Sequence, residues 1–223
     1  MIPLIHKIHH NFAFMNKNDV LIFDFDGTIA DTFHYLIEIS NRLSKEFGFK
    51  EIESDEIANL KDKSVHQAIR HLNVPLFKVP LIAAKARLEL HKEISLVKPV
   101  EGLRDILQQF RSLGLKMGIL TSNSIDNVMG FLKNNEMDFF DIIHTTPKIW
   151  SKNRSLKTMT KENHLNCSHV IYIGDETRDI IAAQKAGIRS VAVTWGYNSH
   201  KALKAHHPDH LIHSPQALLQ LLE

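Results

Sequence analysis

Two carboxylates stand two positions apart, at Asp24 and Asp26, between an apolar run and Gly27. In an extended segment alternate side chains point to the same side, so both carboxylates would face one ligand. Their repulsion, roughly 4 kcal/mol at about 4 Å and an effective dielectric near 20, requires compensation by a divalent cation or by a division of catalytic roles. The alternatives are a surface turn of the Asp-x-Asp-Gly type and an EF-hand calcium loop, although residues 29–31 do not continue the EF-hand pattern.

A second acidic pair follows the apolar run 170–173, with Gly174 between the run and the first carboxylate. Asp179 lies four positions after Asp175, one helical turn further along on the same side. Oxygen ligands of this kind suit Mg²⁺, which takes few carboxylates and retains several water molecules. The alternative needs no metal, because acidic residues in the first turn of a helix also complement the helix dipole.

Hydroxyl and amide side chains follow a third apolar run. Thr121 and Ser122 stand at its end, and Asn123 and Ser124 stand at the start of the next helical pattern. Such groups at a helix N-terminus form an anion site that suits phosphate. Helix capping is the alternative, because these residue types are also the ordinary helix caps.

The elements that position these groups follow from the hydrophobic pattern. Apolar runs without polar alternation indicate strands covered on both faces, as in a parallel sheet. We expect strands at residues 20–23, 117–120, 142–143, 170–173, 191–193 and 211–212. Helical stretches separate these runs, which predicts right-handed crossovers. The carboxyl ends of the strands then meet at one edge, where open α/β sheets bind ligands.

Residues 33–99 contain no strand-like run, and their apolar residues repeat every three to four positions. One predicted helix ends near Gly48, Ser64 is expected to cap a second, and Pro80 to open a third. This stretch is therefore predicted to be an all-helical insertion and not a part of the sheet.

The bulk composition excludes several classes of protein. The 223 residues, 43% hydrophobic and 23% charged, are ordinary for a globular protein of one or two domains. A net charge of +2 does not indicate a nucleic-acid binder, and no apolar run approaches the length of a membrane span. The single cysteine, Cys167, cannot form an internal disulfide, which favours the cytoplasm. Residues 1–18 are expected to be a leader or packing arm, since the first residues are unlike a signal peptide.

The run Asp24-Phe25-Asp26-Gly27-Thr28 resembles the first motif, D-x-D-x-T, of the haloacid dehalogenase-like (HAD) hydrolase superfamily. Thr121 at a strand end resembles the second motif, and G-D-x-x-x-D at 174–179 resembles the fourth. Segments 195–198 and 208–212 resemble phosphoglycolate-phosphatase-like members with a helical C1-type cap. The resemblance covers nearly the whole chain beyond the leader.

The resemblance implies an α/β fold with a Rossmann-like parallel-sheet core, formed by residues 19–32 and 100–223. A small all-helical cap, residues 33–99, would be inserted after the first strand.

The resemblance also implies roles for individual residues. Asp24 would be the nucleophile and Asp26 the general acid and base. A lysine between the second and fourth motifs should neutralise phosphate, and Lys152 matches its place best, with Lys148 as the alternative. The implied phosphate-binding residues are Thr121, Ser122, Gly27 and Thr28. The implied Mg²⁺ ligands are Asp24, the Asp26 carbonyl, Asp175 and Asp179.

These features predict a Mg²⁺-dependent phosphatase that hydrolyses a small phosphorylated metabolite through an aspartyl-phosphate. We expect neither nucleic acid nor a membrane as a partner. Asp26 argues against dehalogenation, because a halide leaves without a proton. Two alternatives stay open: a sugar phosphomutase, and a non-catalytic phosphate-binding or regulatory protein.

Overall fold

A computed structural model describes residues 14–146 and 151–222 of the chain. The strands are β1 (Val20–Phe23), β2 (Lys116–Thr121), β3 (Ile142–Thr145), β4 (Val170–Gly174), β5 (Arg189–Val193) and β6 (His210–Ile212). The helices are α1 (Phe33–Phe47), α2 (Ile57–Lys61), α3 (Val65–His71), α4 (Val79–Glu93), α5 (Leu103–Ser112), α6 (Ile125–Asn134), α7 (Lys152–Glu162), α8 (Thr177–Ala186) and α9 (His200–Lys204). Short 3₁₀ helices cover Ser54–Glu56, Leu76–Lys78, Cys167–His169 and Pro215–Leu222.

The described strands form one six-stranded sheet in the order β3-β2-β1-β4-β5-β6. Every neighbouring pair is parallel. Phe23 at the end of β1 pairs with Ile119 on one side and with Ile173 on the other. The predicted α/β fold with a parallel sheet is confirmed, and β1 lies between the two strands that carry the other motifs.

Burial of β1 on both faces explains its uninterrupted apolar sequence. Leu21 and Phe23 pack into one hydrophobic cluster, whereas Val20 and Ile22 pack into another on the opposite face. All four side chains are buried. Because side chains alternate along a strand, a shift of one residue would exchange the two sets, so the packing fixes the register.

The segment between β1 and β2 is helical, as predicted. Helix α1 ends at Gly48, which adopts a left-handed φ of 74°, and the Ser64 side chain accepts a hydrogen bond from the Gln67 amide at the start of α3. Pro80 stands in the first turn of α4. Residues 33–99 are all described and contain no strand.

The two chain segments that join these helices to the sheet lie side by side. The Asp31 amide donates to the Lys98 carbonyl at 2.9 Å, and the Val100 amide donates to the Ile29 carbonyl at 2.9 Å. The helical segment therefore leaves and re-enters the sheet domain at one place.

The structure describes the C-terminal end of the chain more fully than the N-terminal end. Residues 1–13 of the predicted leader lie outside the described residues. Met15 is buried, and its amide donates to the Leu221 carbonyl at 2.8 Å. The helix expected from Pro215 is of the 3₁₀ type, and the five-residue helix α9 was not predicted.

Among the helices in the described part of the chain, none combines the length and apolar character needed to cross a membrane.

Candidate active site

The carboxyl edge of the sheet brings three predicted carboxylates together. Asp24 follows β1, Asp175 follows β4, and Asp179 lies in the first turn of α8. One oxygen from each lies within 4.8 Å of the other two, and all three side chains are buried. Lys152 forms ion pairs with two of the three carboxylates, and the charge of Arg178 also acts on Asp24.

Asp24 has a fixed orientation within this cluster. Its Oδ1 accepts a hydrogen bond of 2.8 Å from the Phe25 amide, and its Oδ2 accepts one of 2.6 Å from Lys152 Nζ. Burial raises the pKa of Asp24 to about 7, although the ammonium group of Lys152 opposes the rise. The carboxylate is therefore costly to ionise in the absence of a further cation.

Lys152 opens α7 and reaches the cluster with a side chain that is only 5% exposed. It forms ion pairs with Asp24 and Asp179. Burial alone would lower the pKa of Lys152, but Asp179 and Asp24 outweigh it and leave the pKa raised. Lys152 is therefore a permanent cation beside Asp24. The alternative, Lys148, lies outside the described residues.

Asp175 is held from two sides. Its Oδ1 accepts a hydrogen bond of 2.6 Å from the Thr28 hydroxyl, and its Oδ2 accepts one of 2.7 Å from the Tyr197 amide. Burial, reinforced by Glu176, raises the pKa of Asp175 well above its usual value. At Gly196 an added Cβ would lie 2.1 Å from Asp175 Oδ2, so this loop approaches the carboxylate more closely than a side chain would permit.

Asp26 lies apart from the three clustered side chains, on the side of β2. The Asn123 amide nitrogen lies 3.1 Å from each of its carboxylate oxygens. Burial raises the pKa of Asp26 to about 6, while the hydrogen bond from Asn123 opposes the rise. A group of this pKa exchanges its proton near neutral pH, as a general acid and base must.

The predicted phosphate-binding residues lie at the same edge of the sheet, and each makes different contacts there. Thr121 is buried, and its Oγ accepts from the Asn123 amide at 3.0 Å. The Thr28 hydroxyl donates to Asp175, and the Ser122 carbonyl accepts from Arg87 at 3.4 Å. Gly27 has a left-handed φ of 77°, and an added Cβ would come within 2.5 Å of Asp175. Their contact with phosphate stays a prediction.

A cavity of about 270 Å³ opens beside Asp26, between the helical segment and the sheet edge. Its polar lining includes Asp26, Arg87, Asn123, Arg178 and Tyr197. Its apolar lining comes from the helical segment, namely Leu36, Val65, Ala83, Ala86 and Leu90. A small organic group bound here would lie next to Asp26.

Arg87 and Tyr197 were not predicted as site residues, and Asn123 was expected only as one of the groups of a possible anion site at a helix N-terminus. The contact of Asn123 with Asp26 was not expected, although the place of Asn123 directly after the hydroxyl pair was a usable signal. Arg87 lies in α4, and nothing in its local sequence indicates that it reaches the Ser122 carbonyl. The Tyr197 hydroxyl lies 3.0 Å from that of Thr32, a contact across 165 positions.

Comparison with known proteins agrees with this geometry. The sequence profile of the family described as haloacid dehalogenase-like hydrolase matches residues 21–193. The chain is 33% identical to a phosphoglycolate phosphatase of Synechococcus elongatus over 201 residues, which is 90% of this chain and 95% of that one. It is 23% identical to the pyrophosphatase PpaX of Bacillus mycoides over 210 residues, which is 92% of this chain and 97% of that one. A haloacid dehalogenase-like family protein of Streptococcus pneumoniae shares the fold, with a TM-score of 0.76, 22% identity and coverage of 93% of this chain and 98% of that one.

Proposed function

The chain belongs to the haloacid dehalogenase-like hydrolase family, and from this premise we propose that it is a Mg²⁺-dependent phosphatase acting on a small phosphomonoester. The observation that carries this proposal is the buried cluster of Asp24, Asp175 and Asp179, with Lys152 on one side and the Asp26–Asn123 pair on the other. The name of the Synechococcus relative supports phosphate ester hydrolysis.

The carboxylate cluster fits a hard divalent cation. All three side chains offer oxygen, and burial raises the pKa of Asp24 and Asp175, so a bound cation would stabilise their ionised forms. Asp24, Asp175 and Asp179 would hold Mg²⁺, together with the Asp26 carbonyl. When bound, Mg²⁺ neutralises charge on the phosphoryl oxygens beside the carboxylates.

In the first step, a carboxylate oxygen of Asp24 forms a bond to phosphorus, and the bond between phosphorus and the leaving oxygen breaks. The electron pair of that bond goes to the leaving oxygen, which takes a proton from Asp26 and departs as an alcohol. Lys152 stabilises negative charge on the phosphoryl group, and its ion pair orients Asp24 for the attack.

In the second step, Asp26 accepts a proton from a water molecule that attacks phosphorus of the aspartyl-phosphate. The bond between phosphorus and Asp24 breaks, which restores the carboxylate and releases inorganic phosphate. Asp26 is then protonated again for the next cycle. One ester and one water thus give one alcohol and one phosphate.

Residues 19–32 and 100–223 form the catalytic core in this proposal, and the helical segment 33–99 is the cap. The cavity beside Asp26 then holds the leaving group between cap and core. Its size suits a leaving group of a few carbon atoms. Arg87 places a positive charge on its wall, and no salt bridge engages Arg87 among the described residues. We therefore propose a leaving group with an anionic substituent, and phosphoglycolate is the first ester to test.

The test is phosphate release by purified protein with Mg²⁺ from a panel of phosphomonoesters that includes phosphoglycolate. We expect turnover by the wild-type protein and loss of at least about 10³-fold in Asp24→Asn, because the nucleophile is gone. Absence of turnover from the whole panel, with equal binding by wild type and Asp24→Asn, would support the non-catalytic alternative.

Hexose phosphates in the same panel distinguish a phosphatase from a phosphomutase. A phosphatase releases inorganic phosphate from them or leaves them unchanged, whereas a phosphomutase yields an isomeric hexose phosphate. Formation of the isomer without phosphate release would contradict the proposed hydrolysis.

A further inference from the structure

The Asp26 carboxylate is held by a side chain that the proposed chemistry does not use. Asn123 is only 4% exposed, and its amide nitrogen lies 3.1 Å from both oxygens of Asp26. Its own Oδ1 accepts hydrogen bonds of 2.8 Å from the Ser124 amide and from Asn127 Nδ2. The Thr32 hydroxyl also hydrogen-bonds to Asp26, so the orientation of the buried Asn123 amide is one of two side-chain contacts that position the carboxylate.

A second buried amide connects this one to the helical segment. Asn127 is fully buried, and besides Asn123 its Nδ2 donates to the Arg87 carbonyl of α4 at 3.0 Å. Its Oδ1 lies 2.7 Å from His91 Nδ1, also on α4. An amide oxygen only accepts, so His91 is the donor here. The bonds run in one direction, from His91 through Asn127 and Asn123 to Asp26.

This arrangement admits a single orientation for each amide. If either amide flipped, its NH₂ group would face a donor and its oxygen would face an acceptor. Helix capping does not explain the pair, because Ser124 already caps α6 by accepting from the Asn127 main-chain amide at 3.2 Å. Without α4 in place, Asn127 would lose the Arg87 carbonyl and His91 as partners.

We propose that Asn123 and Asn127 are positioning residues that hold the Asp26 carboxylate toward the leaving oxygen while α4 is seated on the core. Seating of the helical segment thereby orients the group that protonates the leaving oxygen, before or as the substrate binds. This inference rests on the proposed phosphatase function. It adds that α4 acts on the proton transfer through two amides, in addition to enclosing the substrate.

The test compares two esters that differ in their need for a proton. An alkyl phosphate leaves as a poor alkoxide unless it is protonated, whereas 4-nitrophenyl phosphate leaves as a stable phenolate. We expect Asn123→Ala to lower kcat/KM about 10- to 100-fold on the alkyl ester and less than about 3-fold on the aryl ester. The comparison uses kcat/KM because it reports formation of the aspartyl-phosphate, a step in which only the alkyl ester requires the acid, whereas kcat also includes the second step, which is common to both esters. Asp26→Asn provides the reference for full loss of the acid.

Asn127→Ala should show the same selectivity with a smaller loss, since Asn123 then keeps its contact with Asp26 but loses its anchor. In the double variant, the removal of Asn127 should add nothing to the selective loss already caused by Asn123→Ala. Full additivity of the two losses would contradict a shared pathway.

The matched control is Asn135→Ala. Asn135 ends the same helix and donates to the Val97 carbonyl at 3.2 Å, so it also ties α6 to the segment that leaves the helices. Among the residues that the structure describes, the hydrogen bonds of its side chain go to Val97 and Phe131 and not to Asp26. We expect equal, small changes on both esters. Asn123→Gln, which retains an amide but displaces it, serves as a second variant if Asn123→Ala does not fold, and the same selective loss is expected.

Equal losses of kcat/KM on both esters, or no loss on either, would overturn the positioning role while leaving the phosphatase function intact. If wild-type protein with Mg²⁺ hydrolysed neither ester, the proposed function would fail first and the inference with it.

Discussion

The Thr28 hydroxyl donates a hydrogen bond of 2.6 Å to Asp175 Oδ1, joining the loop after β1 to the end of β4 across 147 positions of sequence. Both residues are buried. The bond fixes one oxygen of Asp175 while the Tyr197 amide fixes the other. Thr28 thus orients a carboxylate of the proposed metal site, a role different from the phosphate contact expected from the sequence.

We predict that Thr28→Val weakens Mg²⁺ binding about 10- to 100-fold, because loss of an outer partner frees a metal ligand to move. The measurement is the Mg²⁺ concentration that gives half-maximal phosphate release. Thr160→Val is the control, since this buried hydroxyl donates to the Lys157 carbonyl within its own helix. An unchanged Mg²⁺ requirement in Thr28→Val would contradict the assignment.

Lys152→Met is expected to lower kcat at least about 100-fold, because it removes the cation that orients Asp24 and faces the phosphoryl group. Folding should weaken as well, since two buried carboxylates lose their counterion. Steady-state kinetics with Mg²⁺ and the melting temperature check the two effects. Lys157→Met, at an exposed position of the same helix, should change neither. A larger loss in Lys148→Met than in Lys152→Met would favour Lys148 as the phosphate lysine.

Metal binding and pH should affect stability together. The pKa of Asp24 is about 7 in the folded chain, above the ordinary value of 3.8, so between these values the folded state binds a proton that the unfolded state has lost. Its contribution to the free energy of unfolding is therefore lost as pH rises through this range. Without metal, we predict that the melting temperature of wild type falls from pH 5 to pH 8 relative to Asp24→Asn.

Mg²⁺ should reverse this trend, because it binds the ionised carboxylates. We expect it to raise the melting temperature of wild type strongly at pH 8, weakly at pH 5, and little in Asp24→Asn. Thermal unfolding with EDTA or with excess Mg²⁺ provides the comparison. A metal effect that is larger at pH 5 than at pH 8 would be incompatible with this carboxylate site.

Arg87→Gln should raise KM about tenfold for a phosphomonoester whose leaving group carries a carboxylate, with little change for an uncharged leaving group. The guanidinium lies on the wall of the cavity next to Asp26, and the substitution leaves the main-chain carbonyl of Arg87 in place. Lys85→Gln is the control, because Lys85 on the same helix pairs with Glu46. Equal effects on both esters would contradict a role in selectivity.

The local pattern of apolar and acidic residues was sufficient to predict those parts of the structure that depend on neighbouring residues in the sequence. The apolar runs predicted the strands because a doubly covered strand must be apolar on both faces, as Leu21 and Ile22 are. Parallel strands end at one edge, so Asp24 and Asp175 were expected to meet there, and their carboxylate oxygens lie within 4.8 Å. The family assignment from these motifs is confirmed by the profile match over residues 21–193.

Tertiary structure alone decided which side chains touch within that edge. The partner of Thr28 is Asp175, that of Asp26 is Asn123, and Arg87 reaches the Ser122 carbonyl from a helix of another segment. These contacts depend on side-chain directions and on how α4 packs against the core. No periodic pattern or fixed spacing of residues in the sequence predicts either of them. A strand pattern determines where a residue ends up along the sheet, but the free energy of packing and of satisfied hydrogen bonds determines which atoms it meets.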